Sequence, residues 1–500
     1  MLLSASASAA AAPRFADHSR TQRATLAWAV GWVGLWVLYA AAVNTGQLGD
    51  SIEQFNWAHS LEWGYYKHPP LPTWLLGGLI AVFGQAPWQT YLLAGGCIAG
   101  TAWFTHDIAR RLFGARTAAV AIVLWGLQMP FSWRAQLYNH NTLLVLMVSF
   151  TAWCVLHALD GDRRRWWFAA GAGAALAMLS KYQAALPLAG IGIALLLAGE
   201  LKRTQVRSGV LLAAAVAAVL FMPHLWWLQQ HDWMPLHYAA THDRQMGASG
   251  REHVLVSFIA NQLRFLLPAL LCIALLTLFA QRARTDGPEA AAALSRRQRS
   301  WLIGLIAVPL GAIVLLALAR GVALQNHWGM QALQFVSLWL AWRIVRNAPP
   351  KPLLLFGTAG ALQLLGMALY LQAPHVPQGK FADLRFPSAE LVQRVQRSWS
   401  ARTHCPLEYV AGSAYPAGVY SVYAGDYPEV QEEGSPLASP WVDVEEMRLA
   451  GAVYFSFDRA KLPPEAQHIE SMTVPVSKKR PHDGPVLYWG LLPPRDDCGN

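Results

Sequence analysis

Residues 26–48 read LAWAVGWVGLWVLYAAAVNTGQL, without a single charge, and residues 49–53 follow at once as GDSIE. The first stretch is long enough to cross a bilayer, which takes about 20 mostly apolar residues. The second puts two carboxylates, Asp50 and Glu53, where that crossing ends. A helix there carries both on one face, because positions three apart are neighbours. Carboxylates so near a bilayer are costly and are functional candidates. The Asp50-x-x-Glu53 spacing also fits a loose helix-capping box, and the two readings are compatible.

The rest of the chain extends this pattern. Of 500 residues, 54% are hydrophobic and 14% charged, against about 25% charged in an ordinary soluble protein. That excludes a disordered chain and a typical water-soluble enzyme, but not an enzyme of the membrane. Further apolar runs are Trp88–Thr105, Thr117–Trp133, Asn141–Leu159, Trp167–Ser180, Gln183–Gly199, Ser208–Leu228, His253–Ala280, Trp301–Ala319, Gly329–Trp342 and Leu353–Leu371. With the first, they predict eleven membrane helices. The runs at 167–180 and 329–342 are short and must borrow flanking residues. Leu71–Gly84 follows Pro69 and Pro70, includes Pro72, and predicts an interfacial or re-entrant helix.

Charge gives the orientation. Arg14/Arg20/Arg23, Arg110/Arg111/Arg116, Arg163–Arg165, Lys202/Arg203/Arg207, Arg282–Arg299 and Arg343–Lys351 recur in alternate loops. Basic loops stay cytoplasmic, so residues 1–25 form a cytoplasmic tail and residues 373–500 lie outside. An odd number of spans gives the same result. Residues 1–372 hold 27 Lys/Arg against 13 Asp/Glu, and residues 373–500 hold 12 against 16. The net charge of +10 is therefore topological, and no nucleic-acid partner is expected. The outer segment reads as a soluble α/β domain, with strands at Leu407–Val410 and Ala452–Phe457. Cys405 and Cys498 near its two ends are disulfide candidates in an oxidising compartment.

The polar residues of the membrane part gather in outer loops. Lys67-His68 follows Tyr65-Tyr66 and precedes two prolines, which stiffen the backbone. Lys67 there is either a presented cation or a snorkelling side chain. Lys181-Tyr182 sits between two short apolar runs, and a lysine there either snorkels or holds a phosphate. Asn139, Asn141 and His327 lie at other outer helix ends, where amides bind ligands or cap helices. No GxxxxGK[ST] is present, so a nucleotide-driven pump is not expected. No HExxH or Cys/His spacing suggests a metal, and no cofactor is implied.

Asp50…Glu53 with Gly64-Tyr-Tyr-Lys-His-Pro-Pro-Leu71 resembles the first outer loop of glycosyltransferase family 39. That family includes bacterial relatives of the protein O-mannosyltransferases and the lipid A aminoarabinose transferase. Ala109-Arg-Arg-Leu-Phe-Gly114, Tyr138-Asn-His-Asn141, Leu179-Ser-Lys-Tyr182 and Asn326-His-Trp328 add to the resemblance. So do Cys405-Pro-Leu-Glu-Tyr-Val410, Ser439-Pro-Trp-Val-Asp443 and Gly451-Ala-Val453. One departure is that the adjacent Asp-Glu pair of the O-mannosyltransferases is here Asp50-Ser-Ile-Glu53.

The resemblance implies a polytopic GT-C fold spanning residues 26–372, with interfacial helices in the loop 49–87. It implies a glycosyltransferase of the bacterial inner membrane. Sugar would pass from a polyprenyl-phosphate donor to an envelope lipid, protein or glycan on the periplasmic side. A flippase for a lipid-linked sugar is the alternative. On the enzyme reading Asp50 and Glu53 are catalytic, with Asp50 the general base. Lys67, His68 and Lys181 stabilise the leaving phosphate. Tyr65, Tyr66, Asn139, Asn141, Tyr182 and His327 contact substrate.

Overall fold

The computed structural model describes residues 12–161, 163–245, 251–281, 293–320, 324–347, 350–372, 383–475 and 483–495. The membrane part is helical. Its helices are α1 (Ala12–Val43), α2 (Gly49–Trp57), α3 (Leu71–Phe83), α4 (Trp88–Phe113), α5 (Ala115–Leu127), α6 (His140–Gly161), α7 (Arg164–Ser180), α8 (Ala185–Ala198), α9 (Thr204–Gln230), α10 (Met234–Gln245), α11 (Arg251–Gln281), α12 (Arg296–Leu302), α13 (Val308–Arg320), α14 (Met330–Asn347) and α15 (Pro352–Gln372). A π-turn over Ile303–Ala307 joins α12 to α13. Each expected apolar run falls at least partly on these helices, with Trp301–Ala319 divided between α12 and α13, and Leu71–Gly84 forms the short α3.

Six helical stretches among the described residues are long and apolar enough to cross a membrane. They are Gln22–Val43, His140–Gly161, Thr204–Gln230, Leu255–Leu278, Arg296–Ala319 and Pro352–Gln372. Helices α4, α5, α7, α8 and α14, on each of which a span was expected, are not among them, and the shortest of these is α5. Its 13 residues measure about 20 Å at 1.5 Å per residue. The backbone turns extended at Gln128, and two 3-10 turns, Met129–Phe131 and Trp133–Gln136, replace the last part of the run. Pro130 lies in the first of them and supplies no N–H for an α-helical bond. The turns lay Arg134 across the end of the bundle that carries residues 49–87. That end is called the loop face, and the opposite end, with Arg110 and Arg111, the arginine face.

The C-terminal part contains α16 (Ser388–Ser400), β1 (Tyr409–Gly412), α17 (Ala414–Ala424), β2 (Glu429–Glu432), α18 (Val444–Ala450), β3 (Ala452–Ser456), β4 (Gln467–Thr473) and β5 (Val486–Leu492). The sheet order is β2-β1-β3-β5-β4. Strands β2, β1 and β3 run parallel, and β5 and β4 add antiparallel. The parallel strands are linked through α17 and α18, as parallel pairs need a crossover. The two strands expected at 407–410 and 452–457 coincide with β1, shifted by two residues, and β3. Val410, Val453, Phe455, Leu487 and Trp489 fill the sheet core. The expected boundary at residue 373 lies outside the described residues.

This domain packs directly on the loop face. Ile52 and Phe55 of α2 share one buried cluster with Tyr420 and Val430. Contact between α2 and α17 is close because residue 418 is glycine. A Cβ there would stand 2.3 Å from Asn56 Oδ1 and 2.4 Å from Ile52. Cys97, Cys154 and Cys272 are free and buried. Cys405 is disulfide-bonded, and Cys498 lies outside the described residues.

Candidate active site

Helix α2 starts at Gly49, and Leu48 occupies the capping position without a side-chain cap. The capping-box reading of Asp50 and Glu53 is therefore corrected. Asp50 is already inside the first turn, where a carboxylate suits the helix dipole. Its Oδ2 accepts a hydrogen bond of 2.8 Å from Asn139 Nδ2. Asn139 has no freedom to flip. Its Oδ1 accepts from the N–H groups of Asn141 and Thr142, at 2.9 and 3.1 Å, and so caps α6. The amide NH2 is then left facing Asp50. One residue thus caps a helix and orients a carboxylate.

Glu53 lies one turn further along α2 and pairs with Lys67, with Nζ 2.5 Å from Oε1. The ammonium also lies over the rings of Tyr66 and Tyr238, at 4.8 and 5.5 Å. Lys67 is not a snorkelling side chain, because it turns inward to a partner. Its loop is tight, with Tyr65 N–H bonded to His68 O at 3.1 Å. Burial pushes the Glu53 carboxyl up to about 8; Lys67 opposes the shift, and Glu432 and Asp50 add to it. Burial alone would pull the Lys67 ammonium down, but Glu53, Tyr66 and Glu432 outweigh it and hold it well above the usual range.

Glu432, at the end of β2, brings the C-terminal domain into this group. Its carboxylate accepts from Asn56 Nδ2 at 2.7 Å and from Trp57 Nε1 at 3.2 Å. Burial raises its pKa, and Lys67 opposes the shift.

A second group stands behind Asp50. The His68 ring lies 3.6 Å from that of His140. Burial, then His140 and Lys181, push the His68 pKa well below its usual value. This shift favours the uncharged ring of His68. Lys181 follows the end of α7, and its Nζ donates to Asn141 Oδ1 at 2.7 Å. His327 Nε2 is 3.4 Å from the same Nζ.

Asp50, Arg134, Asn139, Asn141, Thr142 and His327 line a polar cavity of about 30 Å³, room for roughly two waters. Across the Met129–Arg134 turn lies a larger apolar cavity of about 420 Å³, lined by Trp36, Met129, Trp133, Leu267, Leu271, Leu369 and Tyr370 among others. The turn contributes Pro130 and Arg134 to one cavity and Met129 and Trp133 to the other.

Two expected substrate contacts are placed differently. Tyr65 is buried, stacks on Trp57 at 4.9 Å and donates its hydroxyl to Ser60 O at 2.7 Å. The Tyr182 hydroxyl is 2.9 Å from His224 Nε2. Neither lines the two cavities, and nor do Tyr66, Lys67 or Lys181. Sequence reasoning missed Arg134 and Glu432. Arg134 could have been noticed as one of few basic residues outside the arginine clusters. Glu432 carried no signal. Among the described residues, no group of three or more His, Cys, Asp or Glu is placed to hold a metal.

Residues 67–227 match the dolichyl-phosphate-mannose-protein mannosyltransferase family. This segment includes Lys67, Asn139, Asn141 and Lys181, but not Asp50 or Glu432. The chain is 28% identical over 188 residues to the lipid A galacturonosyltransferase RgtD of Rhizobium johnstonii, covering 37% of this chain and 38% of that protein. It is 25% identical over 354 residues to the lipopolysaccharide core galacturonosyltransferase RgtA of the same organism, covering 67% and 70%. In fold it is similar to ArnT from Cupriavidus metallidurans bound to undecaprenyl phosphate. The TM-score there is 0.60 at 16% identity, over 94% of this chain and 99% of that one. The apo ArnT structure matches at a TM-score of 0.50 and 17% identity, over 92% and 98%.

Proposed function

For a chain that is family 39-like in sequence and ArnT-like, that is GT-C, in fold, we propose a membrane glycosyltransferase that takes sugar from a polyprenyl-phosphate donor. One observation carries this reading. The Asp50 carboxylate and the cation Arg134 line one polar cavity, next to an apolar cavity of about 420 Å³. A polyprenyl phosphate has the same division, an anionic head on an apolar tail. The apolar cavity takes the first isoprene units, and the polar one marks where the phosphate is held once the surrounding side chains move apart to admit it.

The chemistry follows from the geometry. An acceptor oxygen attacks the anomeric carbon, the bond from that carbon to the phosphate oxygen breaks, and the lipid phosphate leaves with the electron pair. The acceptor proton passes to Asp50 as general base, a role worth about 10²–10⁴ in rate. Asp50 suits this role better than Glu53. Asp50 accepts from a neutral amide, while Glu53 is tied to an ammonium. Lys67, Lys181 and Arg134 stabilise the negative charge growing on the phosphate. Asn141 and His327 hold Lys181 in place. Tyr66 keeps Lys67 over its ring. Tyr65 and Tyr182 support the loop from behind rather than contacting substrate.

The topology proposed is eleven spans in the bacterial inner membrane. The loop face and outer domain then lie in the periplasm, because the arginine clusters gather at the opposite face. The acceptor belongs to the envelope. The relatives' names make a uronic acid donor and a lipopolysaccharide acceptor the first pair to try.

The test is a transfer assay with the purified full-length chain in lipid nanodiscs, using polyprenyl phosphate carrying labelled galacturonic acid and a lipid A or core acceptor. The expected result is label joined to the acceptor by a glycosidic bond, with free polyprenyl phosphate released. Label that crosses a liposome membrane while still on its lipid would reject the enzyme in favour of a flippase.

A further inference from the structure

Trp57, the last residue of α2, is fully buried and underlies the loop that presents Lys67. Its indole stacks on the Tyr65 ring at 4.9 Å and 9°, meets Tyr66 edge-on at 6.0 Å, and lies 6.2 Å from His68. Three of the four residues 65–68 therefore rest on one ring, and the fourth is Lys67. The Lys67 ammonium in turn sits 4.8 Å from the Tyr66 ring. Tyr65 and His68 have further anchors, in Ser60 O and the His140 ring. A shift of the indole is thus passed chiefly to the stretch between them, which is Tyr66 and Lys67.

Stacking alone does not fix an indole, because offset parallel rings are attractive over a range of positions. The directional bond that an indole can make is from its single N–H. In Trp57 that N–H donates to Glu432 Oε2 at 3.2 Å, while Glu432 Oε1 accepts from Asn56 Nδ2 at 2.7 Å. Both oxygens are committed to two successive residues of α2. A carboxylate offers two acceptors for two donors, whereas a glutamine has one and would set its NH2 against an N–H.

Glu432 is itself held from behind. Its N–H donates to Ser439 Oγ at 3.0 Å, and Glu433 N–H to Gly412 O at 2.7 Å. At the other end of β2 the Tyr427 hydroxyl donates to Phe55 O at 2.7 Å, and the Tyr427 ring stacks on His59 at 3.9 Å. Tyr427 and Glu433 both have left-handed backbone, at φ 50° and 56°, which persists where surrounding contacts over-determine it. The carboxylate thus reaches Trp57 from a fixed base.

We propose that Glu432 is a positioning residue for Lys67, acting through the indole of Trp57. The C-terminal domain then sets where the ammonium of the membrane part stands. Placement matters because an error of about 1 Å at a reacting centre can cost about 10²-fold in rate. This rests on the proposed lipid-phosphate reading for what Lys67 meets. The positioning itself belongs to the substrate-free protein.

The test is acylation of lysines in the substrate-free, full-length protein in lipid nanodiscs, with acetic anhydride as the probe and mass spectrometry as the readout. Lys181, bonded to Asn141 at 2.7 Å, is the internal reference. Lys67 is paired with Glu53 and its side chain is 20% exposed, so it is expected to react slowly in the wild type. Trp57→Phe keeps an aromatic ring but has no N–H. Glu432→Gln and Trp57→Phe are each expected to speed Lys67 by about tenfold, the size of one hydrogen bond lost from a local opening equilibrium. Lys181 is expected to stay unchanged in both. The double variant should match the single ones, because both break the same bond. Wild-type rates at Lys67, Lys67 and Lys181 rising together, or effects that multiply in the double variant overturn the proposal. If Glu432→Gln does not fold, Trp57→Phe decides alone. The same samples are titrated with undecaprenyl phosphate and with undecaprenol. The wild type is expected to prefer the phosphate, and both variants to lose about tenfold for the phosphate and nothing for the alcohol. A wild type that binds both equally rejects the lipid-phosphate reading and leaves the acylation rates to decide the positioning.

Discussion

The two ends of the helix bundle both carry clustered charges, yet the clusters are built in opposite ways. At the arginine face Asp107 receives Arg110 at 2.6 Å, Arg111 at 2.7 Å and Trp153 Nε1 at 2.9 Å. Asp160 receives Arg111 at 2.9 Å and Arg297 at 2.8 Å. Each carboxylate there has two guanidinium partners, and the network ties α4, α6 and α12 together. At the loop face three carboxylates, Asp50, Glu53 and Glu432, are set among partners that do not saturate them. Asp50 has a neutral amide, Glu432 two neutral donors, and Glu53 an ammonium drawn toward two acids. A saturated cluster holds helices together. An unsaturated one keeps electrostatic capacity for a substrate.

The comparison is broken most strongly by exchanging a charge at each end. Asp50→Asn is expected to lower transfer by about 10²–10⁴-fold, with the melting temperature unchanged, because Asn139 retains a partner. Near-normal turnover would remove Asp50 as the base. Asp107→Asn is expected to do the reverse. It removes charge-assisted hydrogen bonds worth about 1.5–3 kcal/mol and should lower thermal stability while folded protein keeps its transfer rate. Loss of rate without loss of stability would show that the arginine face is not merely a staple.

A third test concerns pH. Glu53 is raised in the folded protein from 4.5 to about 8, so its contribution to stability is complete below about 4.5 and is lost as pH rises through about 8. Thermal stability of the wild type should therefore decline over that interval, and Glu53→Gln should flatten the decline. Equal slopes in the two proteins would place the titration elsewhere.

How much of this was legible in the sequence depended on whether a residue's role is local. Asp50, Lys67 and Lys181 stood out because charges are rare in apolar sequence, and Asp50 and Lys181 sit at helix ends. The pairing of Glu53 with Lys67 was not visible, since the loop between them folds back through aromatic packing, such as Tyr65 stacked on Trp57. Glu432 was hidden for another reason. The outer domain holds 16 acidic residues, and one becomes a site residue only through a turn and a docking contact. Strand β2, four residues with a glutamate at each end, has no alternation to mark it as a strand. Strand β4 is an edge with polar residues exposed at its start, where pattern is weak. The early end of α5 depended on Pro130, and Arg134 gained its place only from the turns that follow.

The close approach at Gly418 also bears on when the site comes into being during synthesis. Asn56 and its partner Glu432 are 376 residues apart. The ribosome makes α2 near the beginning of its task and the outer domain near the end. Until α17 settles on α2, Asn56, Trp57 and Lys67 lack the carboxylate that completes their cluster. A methyl group at position 418 would press on Asn56 and Ile52 and hold α17 off α2, leaving Asn56, Trp57 and Lys67 in that incomplete state.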